Sequence, residues 1–212
     1  MAPSYKTTED VWNRVIKRAE KTMNTAASIQ IALLGNIDVG KTSLIMKHIH
    51  PDRPLKIEKI KTHGTDIKTK YVSIFDDTIS KVKIWDTAGQ EEHADIIGSY
   101  VKRLDACLMA FDLSNRESFK MIFKWIKQLN QQCDIPYVVV GNKCDLPQER
   151  QVSQEDLEEI GRLQNVHIFE TSAKTGHSVD NAFHCLLYQV IKPCLAVREQ
   201  LKFDSKLGDS RL

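Results

Sequence analysis

A glycine-rich turn between an apolar run and a helix-like segment limits the possible folds of this chain more than any other sequence feature. The turn, residues 35–42, reads GNIDVGKT and matches the pattern GxxxxGK[ST]. It follows the apolar run 29–34 and precedes 43–49, which has helical character. Glycines let the backbone wrap a phosphate group with its N–H groups, and the start of a helix adds positive partial charge. The sequence therefore predicts a strand, a phosphate-binding loop and a helix, in that order.

Residues of this loop are candidates for phosphate and metal contacts. Lys41 would reach the β- and γ-phosphates of a nucleotide, and the Thr42 hydroxyl would coordinate Mg²⁺. The predicted contact residues are Gly35, Asn36, Ile37, Asp38, Val39, Gly40, Lys41, Thr42 and Ser43. Kinases and ATPases use the same kind of loop, so the loop alone leaves the base of the nucleotide open.

Two later segments favour guanine as that base. Asp145 lies in the tetrad 142–145, NKCD, directly after the apolar run 137–140. Its carboxylate can accept hydrogen bonds from guanine N1–H and the exocyclic amine, whereas adenine presents an acceptor at N1. The segment 170–174, ETSAK, follows another short strand and brings the Ala173 N–H where guanine O6 could be read. The predicted base contacts are Asn142, Lys143, Asp145, Ser172, Ala173 and Lys174.

The segment 86–90, DTAGQ, at the end of the predicted strand 82–85, supplies the candidates for catalysis. Asp86 would hold Mg²⁺ through water. The Gly89 N–H would contact the γ-phosphate, and Gln90 would orient the attacking water. Together with Lys41, this segment predicts hydrolysis of the nucleotide.

The order of the apolar runs predicts an α/β fold. Strands are predicted at 29–34, 69–75, 82–85, 106–111, 137–140 and 166–169, and helices at 43–49, 119–129, 154–163 and 179–191. Strands that alternate with helices indicate a mostly parallel six-stranded sheet with helices on both faces. The hairpin-like pair 69–85 predicts one antiparallel edge strand. Pro193 is expected to end or kink the last helix.

These motifs, in this order, resemble the small GTPases of the Ras superfamily. The segments 62–70 (THGTDIKTK), 84–92 (IWDTAGQEE) and 112–119 (DLSNRESF) are most similar to the Rab family. The resemblance covers about residues 28–191 and implies a P-loop G domain that binds GTP or GDP with Mg²⁺. It also implies that Thr62 is the switch I threonine, so that Thr42, Thr62 and Asp86 would surround the metal and Gln90, Lys41 and Thr62 would serve hydrolysis.

The resemblance further implies partners that read the bound nucleotide. Effectors, exchange factors and GTPase-activating proteins would contact the two switch regions, 53–70 and 89–102, and the surface around Trp85 and Ile67. The net charge of +2 gives no reason to expect nucleic acid as a partner. Five scattered cysteines without CxxC spacing indicate reduced thiols of a cytoplasmic protein, and we expect a monomer.

The ends of the chain extend beyond the predicted G domain, residues 28–192. Residues 8–23 have the spacing of a basic amphipathic helix, and a small polar linker follows up to residue 27. Two interpretations of this predicted helix remain open. It packs on the G domain or on a partner protein, or it makes peripheral contact with a membrane. Residues 193–212 are predicted to form a helix extension and polar tail, in which we find no prenylation motif.

Three departures from the family pattern bear on activity. Ile37 occupies a loop position that is glycine in Ras, where its side chain would crowd Gln90. Between Thr42 and Thr62 there is no Phe, Tyr or Trp to stack on the base, which predicts weaker nucleotide retention unless Arg53 or a histidine takes that role. The same stretch carries Arg53, Lys56, Lys59 and Lys61, either as a solvated surface or as a contact for an acidic effector or lipid headgroup.

Two functions remain open from the sequence. One is a GTPase switch with slow intrinsic hydrolysis, for which Thr62, Asp86 and Gln90 argue. The other is a GTP-binding interaction module with negligible catalysis, which Ile37 and the missing aromatic favour. An ATP-using kinase is disfavoured by Asp145 and by the lack of an arginine-rich lid insert.

Overall fold

The computed structural model describes residues 28–54, 64–75, 78–88 and 101–209. Its single sheet has six strands in the order β2-β3-β1-β4-β5-β6. The strands are β1 (Ser28–Leu34), β2 (Thr65–Phe75), β3 (Thr78–Thr87), β4 (Ala106–Asp112), β5 (Tyr137–Asn142) and β6 (Ile168–Glu170). All neighbours pair in parallel except β2, which pairs antiparallel with β3 at one edge. The predicted sheet is therefore confirmed.

Within the described ranges, four α-helices connect or follow these strands: α1 (Lys41–Ile49), α2 (Arg116–Gln132), α3 (Gln154–Gln164) and α4 (Val179–Asp209). Side-chain caps fix the start of two of these helices. The Asn115 side chain accepts hydrogen bonds from the N–H groups of Glu117 and Ser118 at α2. Ser153 and Asp156 form a capping box at α3. Helix α1 has no side-chain cap, because it begins directly from the glycine-rich loop.

Helices cover both faces of the sheet, which explains the continuous apolar runs in the central strands. On one face, Ile31 and Leu33 of β1 pack with core residues of α1 and α4 such as Leu44 and Phe183. On the other face, Leu34 joins the core residues of α2 and α3. Successive residues of β1 thus point to opposite cores, as the period of a strand requires.

The last helix runs beyond the predicted segment 179–191 into the predicted extension. Helix α4 passes through Pro193 and continues to Asp209, so Pro193 does not end it. A proline removes one backbone hydrogen bond and crowds the preceding turn, but it does not prevent helix on its C-terminal side. The residues after Pro193 include Leu195, Ala196, Arg198, Glu199 and Gln200, which are good helix formers.

A buried histidine ties α1 to β2 and α4. The His48 ring stacks on Phe183 with ring centroids 4.0 Å apart, and His48 Nδ1 lies 2.5 Å from Asp180 Oδ1. Lys70 of β2 donates to the His48 carbonyl oxygen at 2.6 Å, and His184 meets the ring edge-on. Burial, reinforced by the Lys70 charge and opposed by Asp180, lowers the pKa of His48 to about 4.

This histidine predicts a loss of stability in mild acid. Its folded pKa of about 4 lies below the ordinary value of 6.5, so the unfolded chain binds the proton more readily. The contribution of His48 is complete above pH 6.5 and is lost as the pH falls towards 4, on the order of 3 kcal/mol in total. Urea unfolding at pH 7 and pH 5 should show a smaller drop for His48→Gln than for the wild type.

Lys70→Met removes one cause of the low pKa and serves as the comparison. Its drop in the free energy of unfolding between pH 7 and pH 5 should lie between those of the wild type and His48→Gln. An equal drop in the wild type and His48→Gln would contradict the assignment.

Candidate nucleotide site

The four predicted motifs follow the carboxyl ends of four strands. The loop after β1, the end of β3, the tetrad after β5 and the segment after β6 therefore meet at one edge of the sheet. Ligands of open α/β sheets bind in the crevice at this edge. The fold thus brings together candidate residues that lie more than 130 positions apart in the sequence.

Two glycines shape the loop after β1. Gly35 has φ of 140°, and a Cβ placed on it would lie 2.0 Å from the Ala110 carbonyl oxygen. Gly40 has φ of 94°, and its Cβ would lie 2.4 Å from Asn142 Nδ2. Both positions combine a left-handed backbone with a close neighbour, so only glycine fits. The loop backbone is therefore pressed against β4 and the tetrad.

Lys41 stands at the centre of this loop. Its ammonium donates to the carbonyl oxygens of Gly35 at 2.7 Å and Asn36 at 2.9 Å, and the residue is buried. These bonds close the loop around the lysine at the start of α1. A buried cation beside the N–H groups of an uncapped helix start suits a phosphate group.

A hydroxyl and a carboxylate face each other beside that lysine. Thr42 Oγ1 donates to Asp86 Oδ1 at 3.0 Å, and Asp86 is buried. Burial raises the pKa of the Asp86 carboxyl, while the Thr42 hydrogen bond and the Lys41 charge oppose the shift. Hard oxygen donors of this kind are those that Mg²⁺ prefers, and a nucleotide phosphate would complete such a site. These residues fit the predicted metal.

Asn142 joins the phosphate side to the base side. Its Nδ2 donates to the Val39 carbonyl oxygen at 2.8 Å, and its Oδ1 accepts from the Ala173 N–H at 3.1 Å. One buried amide therefore fixes the loop after β1 against the segment after β6. The backbone adds a bond from the Cys144 N–H to the Thr171 carbonyl oxygen at 3.1 Å.

The predicted base-binding carboxylate is held by the segment after β6. Ser172 Oγ donates to Asp145 Oδ1 at 2.6 Å, and Lys174 Nζ lies 3.8 Å from Asp145 Oδ2. Lys143 has a left-handed backbone and pairs with Asp112 at 2.6 Å. The segment after β6 therefore orients the Asp145 carboxylate, while the Lys143 side chain is held by the end of β4.

Sequence reasoning missed two residues that support the site. Trp125 of α2 donates its indole N–H to Asn36 Oδ1 at 3.1 Å, and Asp112 pairs with Lys143. Trp125 has the helical spacing of a core residue, which is why it carried no prediction. The indole N–H could have indicated a polar contact in the sequence, because a buried tryptophan usually needs a hydrogen-bond acceptor.

Several predicted residues do not enter this description. Thr62, Gly89 and Gln90 lie outside the described residues, as does the predicted N-terminal helix. Within the loop, Ile37 and Asp38 are exposed, and Asp38 has a left-handed backbone. Ser43 follows Thr42 in the first turn of α1 and is half-buried.

Comparison with known proteins identifies the family. The family model described as "Ras family" matches residues 30–192, most of the chain. The chain belongs to the Ras family. Its members are small GTPases, which bind GTP or GDP with Mg²⁺, and the chain is a divergent Rab-like member.

Rab proteins from distant organisms are similar to this Ras-family chain. Ras-related protein Rab-30 of Homo sapiens is 35% identical over 164 residues, covering 76% of this chain and 79% of the relative. Ras-related protein Rab-7b of Bos taurus is 32% identical, with 84% and 89% covered. Ras-related protein RABA4d of Arabidopsis thaliana is 32% identical, with 77% and 73% covered. No helix among the described residues has the length and apolar character to cross a bilayer.

The glycine geometry gives a direct test of the loop. Gly35→Ala places a methyl group against the backbone of β4, so the loop must move. We expect at least a tenfold loss of GDP affinity, equivalent to about 1.4 kcal/mol, and a lower unfolding temperature. Isothermal titration and thermal unfolding measure the two effects.

Gly161→Ala is the matched control. It adds the same methyl group within α3, where the nearest atom is Ile168 Cδ1 at 3.4 Å, an ordinary contact. Alanine also favours helix by roughly 1 kcal/mol over glycine. This variant should bind GDP like the wild type, and a loss equal to that of Gly35→Ala would contradict the argument.

Proposed function

We propose that this Ras-family chain is a GTP/GDP-dependent molecular switch that hydrolyses GTP slowly and acts in vesicle trafficking or signalling. This proposal is supported mainly by the hydrogen bonds of the Asn142 amide, which link the loop after β1 to the predicted base-binding segment after β6. A ligand with both a triphosphate and a guanine would satisfy both halves at once. The trafficking role rests on similarity to Rab proteins.

On the phosphate side, Lys41 would contact the β- and γ-phosphates and the N–H groups of the loop would surround them. Thr42 and Asp86, together with Thr62, would hold Mg²⁺. When bound, that metal neutralises charge on the phosphate oxygens. Gln90 would orient the attacking water, and Gly89 would respond to the γ-phosphate, so that both switches order only with GTP.

On the base side, Asp145 would accept from guanine N1–H and the exocyclic amine. Ser172 orients this carboxylate through a 2.6 Å hydrogen bond, while the Ala173 N–H donates to Asn142 Oδ1 in this structure. Adenine would leave the Asp145 carboxylate without donors in a closed site, which is unfavourable. The proposed selectivity is therefore for guanine.

The proposed partners are effectors, exchange factors and activating proteins that contact the switches and the Trp85 surface. Trp85 of β3 and Ile67 of β2 are paired across the hairpin, and Ile67 is 45% exposed. The Trp85 indole donates to Gln30 Oε1 at 2.9 Å, which holds the ring along this surface. We further propose a cytoplasmic monomer, with 28–192 as the G domain and 1–27 and 193–212 as extensions.

Single-turnover hydrolysis tests the proposal. The purified protein is loaded with GTP and Mg²⁺, and bound GTP and GDP are followed by chromatography over hours, with ATP as the control. We expect conversion on the order of 10⁻³ s⁻¹ or slower, and no uptake of ATP. Retention of ATP equal to that of GTP would refute the guanine assignment.

Gln90→Leu is the catalytic variant for the same assay. Leucine cannot orient water, so hydrolysis should slow at least tenfold while GDP affinity stays within about twofold. Unchanged turnover would remove Gln90 from the mechanism.

One observation favours a second function, a GTP-binding interaction module with little catalysis. Ile37 is 44% exposed on the phosphate loop, at a position that is glycine in Ras. From there its branched side chain would crowd Gln90 and an arginine supplied by an activating protein. Nucleotide binding would persist, and the chain would remain in one nucleotide state.

Ile37→Gly separates the two functions. If Ile37 crowds the water-orienting residue, single-turnover hydrolysis should accelerate about tenfold or more, equivalent to about 1.4 kcal/mol of barrier. Ile37→Val keeps a branched side chain and should leave the rate within about twofold. Equal rates in the wild type and Ile37→Gly would show that the isoleucine does not limit catalysis.

A further inference from the structure

Asp112, the last residue of β4, carries a buried carboxylate that points to the base-binding side of the site. Its Oδ1 accepts from the Ser114 N–H at 2.8 Å and the Ser114 hydroxyl at 2.7 Å. Its Oδ2 lies 2.6 Å from Lys143 Nζ. A buried carboxylate is stable only when such partners compensate its lost hydration. Lys143 supplies the opposite charge.

Lys143 occupies a backbone conformation that needs support. Its φ of 66° lies in the left-handed region, which residues other than glycine rarely adopt. It follows Asn142 directly and precedes Asp145 by two residues, so its conformation sets the direction of the whole turn. A lysine side chain is long and flexible, and holding it in one position has an entropic cost. The ion pair with Asp112 offsets that cost.

The sheet places Asp112 next to the turn 142–145. Asp112 and Asn142 are register partners at the ends of neighbouring parallel strands. The Leu113 N–H also donates to the Asn142 carbonyl oxygen at 2.9 Å. The end of β4 therefore supports the turn 142–145 twice, through the backbone at Asn142 and through a side chain at Lys143.

We propose that Asp112 is a positioning residue for guanine binding, holding Lys143 so that the turn 142–145 keeps its binding conformation before the nucleotide enters. The inference rests on the proposed function of the same turn. Asp112 acts through Lys143 and takes no part in hydrolysis. Its loss should therefore shorten the lifetime of bound GDP more than it changes the rate of the chemical step.

The test measures dissociation of fluorescent GDP in excess unlabelled GDP, at constant Mg²⁺. Asp112→Asn and Lys143→Met should each dissociate about tenfold faster than the wild type, equivalent to about 1.4 kcal/mol. The double variant should dissociate no faster than Lys143→Met alone, because Asp112 acts only through that lysine. Single-turnover hydrolysis of GTP that stays bound should change less than threefold in Asp112→Asn.

Three variants serve as controls. Ser114→Ala removes a hydrogen bond from the same carboxylate but keeps the ion pair, and should stay within about twofold of the wild type. Asp156→Asn breaks the Arg116–Asp156 pair between α2 and α3, 2.6 Å long and away from the base-binding turn. It should leave GDP dissociation unchanged. Asp145→Asn removes the proposed base contact itself and should dissociate faster than any of the others.

Lys143→Arg keeps the test decisive even if Asp112→Asn is recovered only as insoluble protein. Arginine retains a cation that can pair with Asp112, so it should dissociate within about threefold of the wild type, whereas Lys143→Met should not. Equal dissociation from these two variants would overturn the proposal.

Two other results would also overturn it. One is wild-type dissociation from Asp112→Asn, and the other is independent effects that multiply in the double variant. A wild-type protein that binds no guanine nucleotide would instead refute the proposed function, which is a separate outcome.

Discussion

The side chain of Asn142 makes the two hydrogen bonds on which the candidate site depends. It donates to the Val39 carbonyl oxygen and accepts from the Ala173 N–H, so one buried amide joins loops that follow β1, β5 and β6. Gly40 must lack a side chain because this amide lies against it. The phosphate-binding loop after β1 and the predicted base-binding segment after β6 are therefore held by the same side chain. A shift of one segment would displace the other through Asn142.

A second set of contacts orients the charged groups around that support. Lys41 is directed by two backbone carbonyl oxygens, Asp86 by Thr42, and Asp145 by Ser172. Each bond satisfies a polar group that the fold has buried, which lowers the cost of assembling so much charge. The same bonds hold Lys41, Asp86 and Asp145 in place before any ligand arrives, so these three side chains need little further ordering on binding.

The outline of the fold was readable from local patterns. Continuous apolar runs identified the buried central strands, and helical spacing identified four helices, because these periods reflect burial directly. Strand β2 begins at Thr65, earlier than predicted, and helix α4 continues from the predicted segment 179–191 to Asp209. Their extra residues are mixed in polarity, so periodicity could not delimit them. Of the two predicted effects of Pro193, an end of the helix is excluded, since flanking helix formers outweigh one lost hydrogen bond.

The sequence by itself determined which residues are candidates for the site, because GxxxxGK[ST], DTAGQ, NKCD and ETSAK keep their chemical meaning as short segments. The sequence also placed glycine at positions 35 and 40, where the loop after β1 needs a left-handed backbone. Only the tertiary structure decided which groups support the site from a distance. Asp112 meets Lys143 and Trp125 meets Asn36 across strands and helices, at sequence separations of 31 and 89 residues. Local sequence patterns do not predict these contacts, because they form only when distant strands and helices pack together.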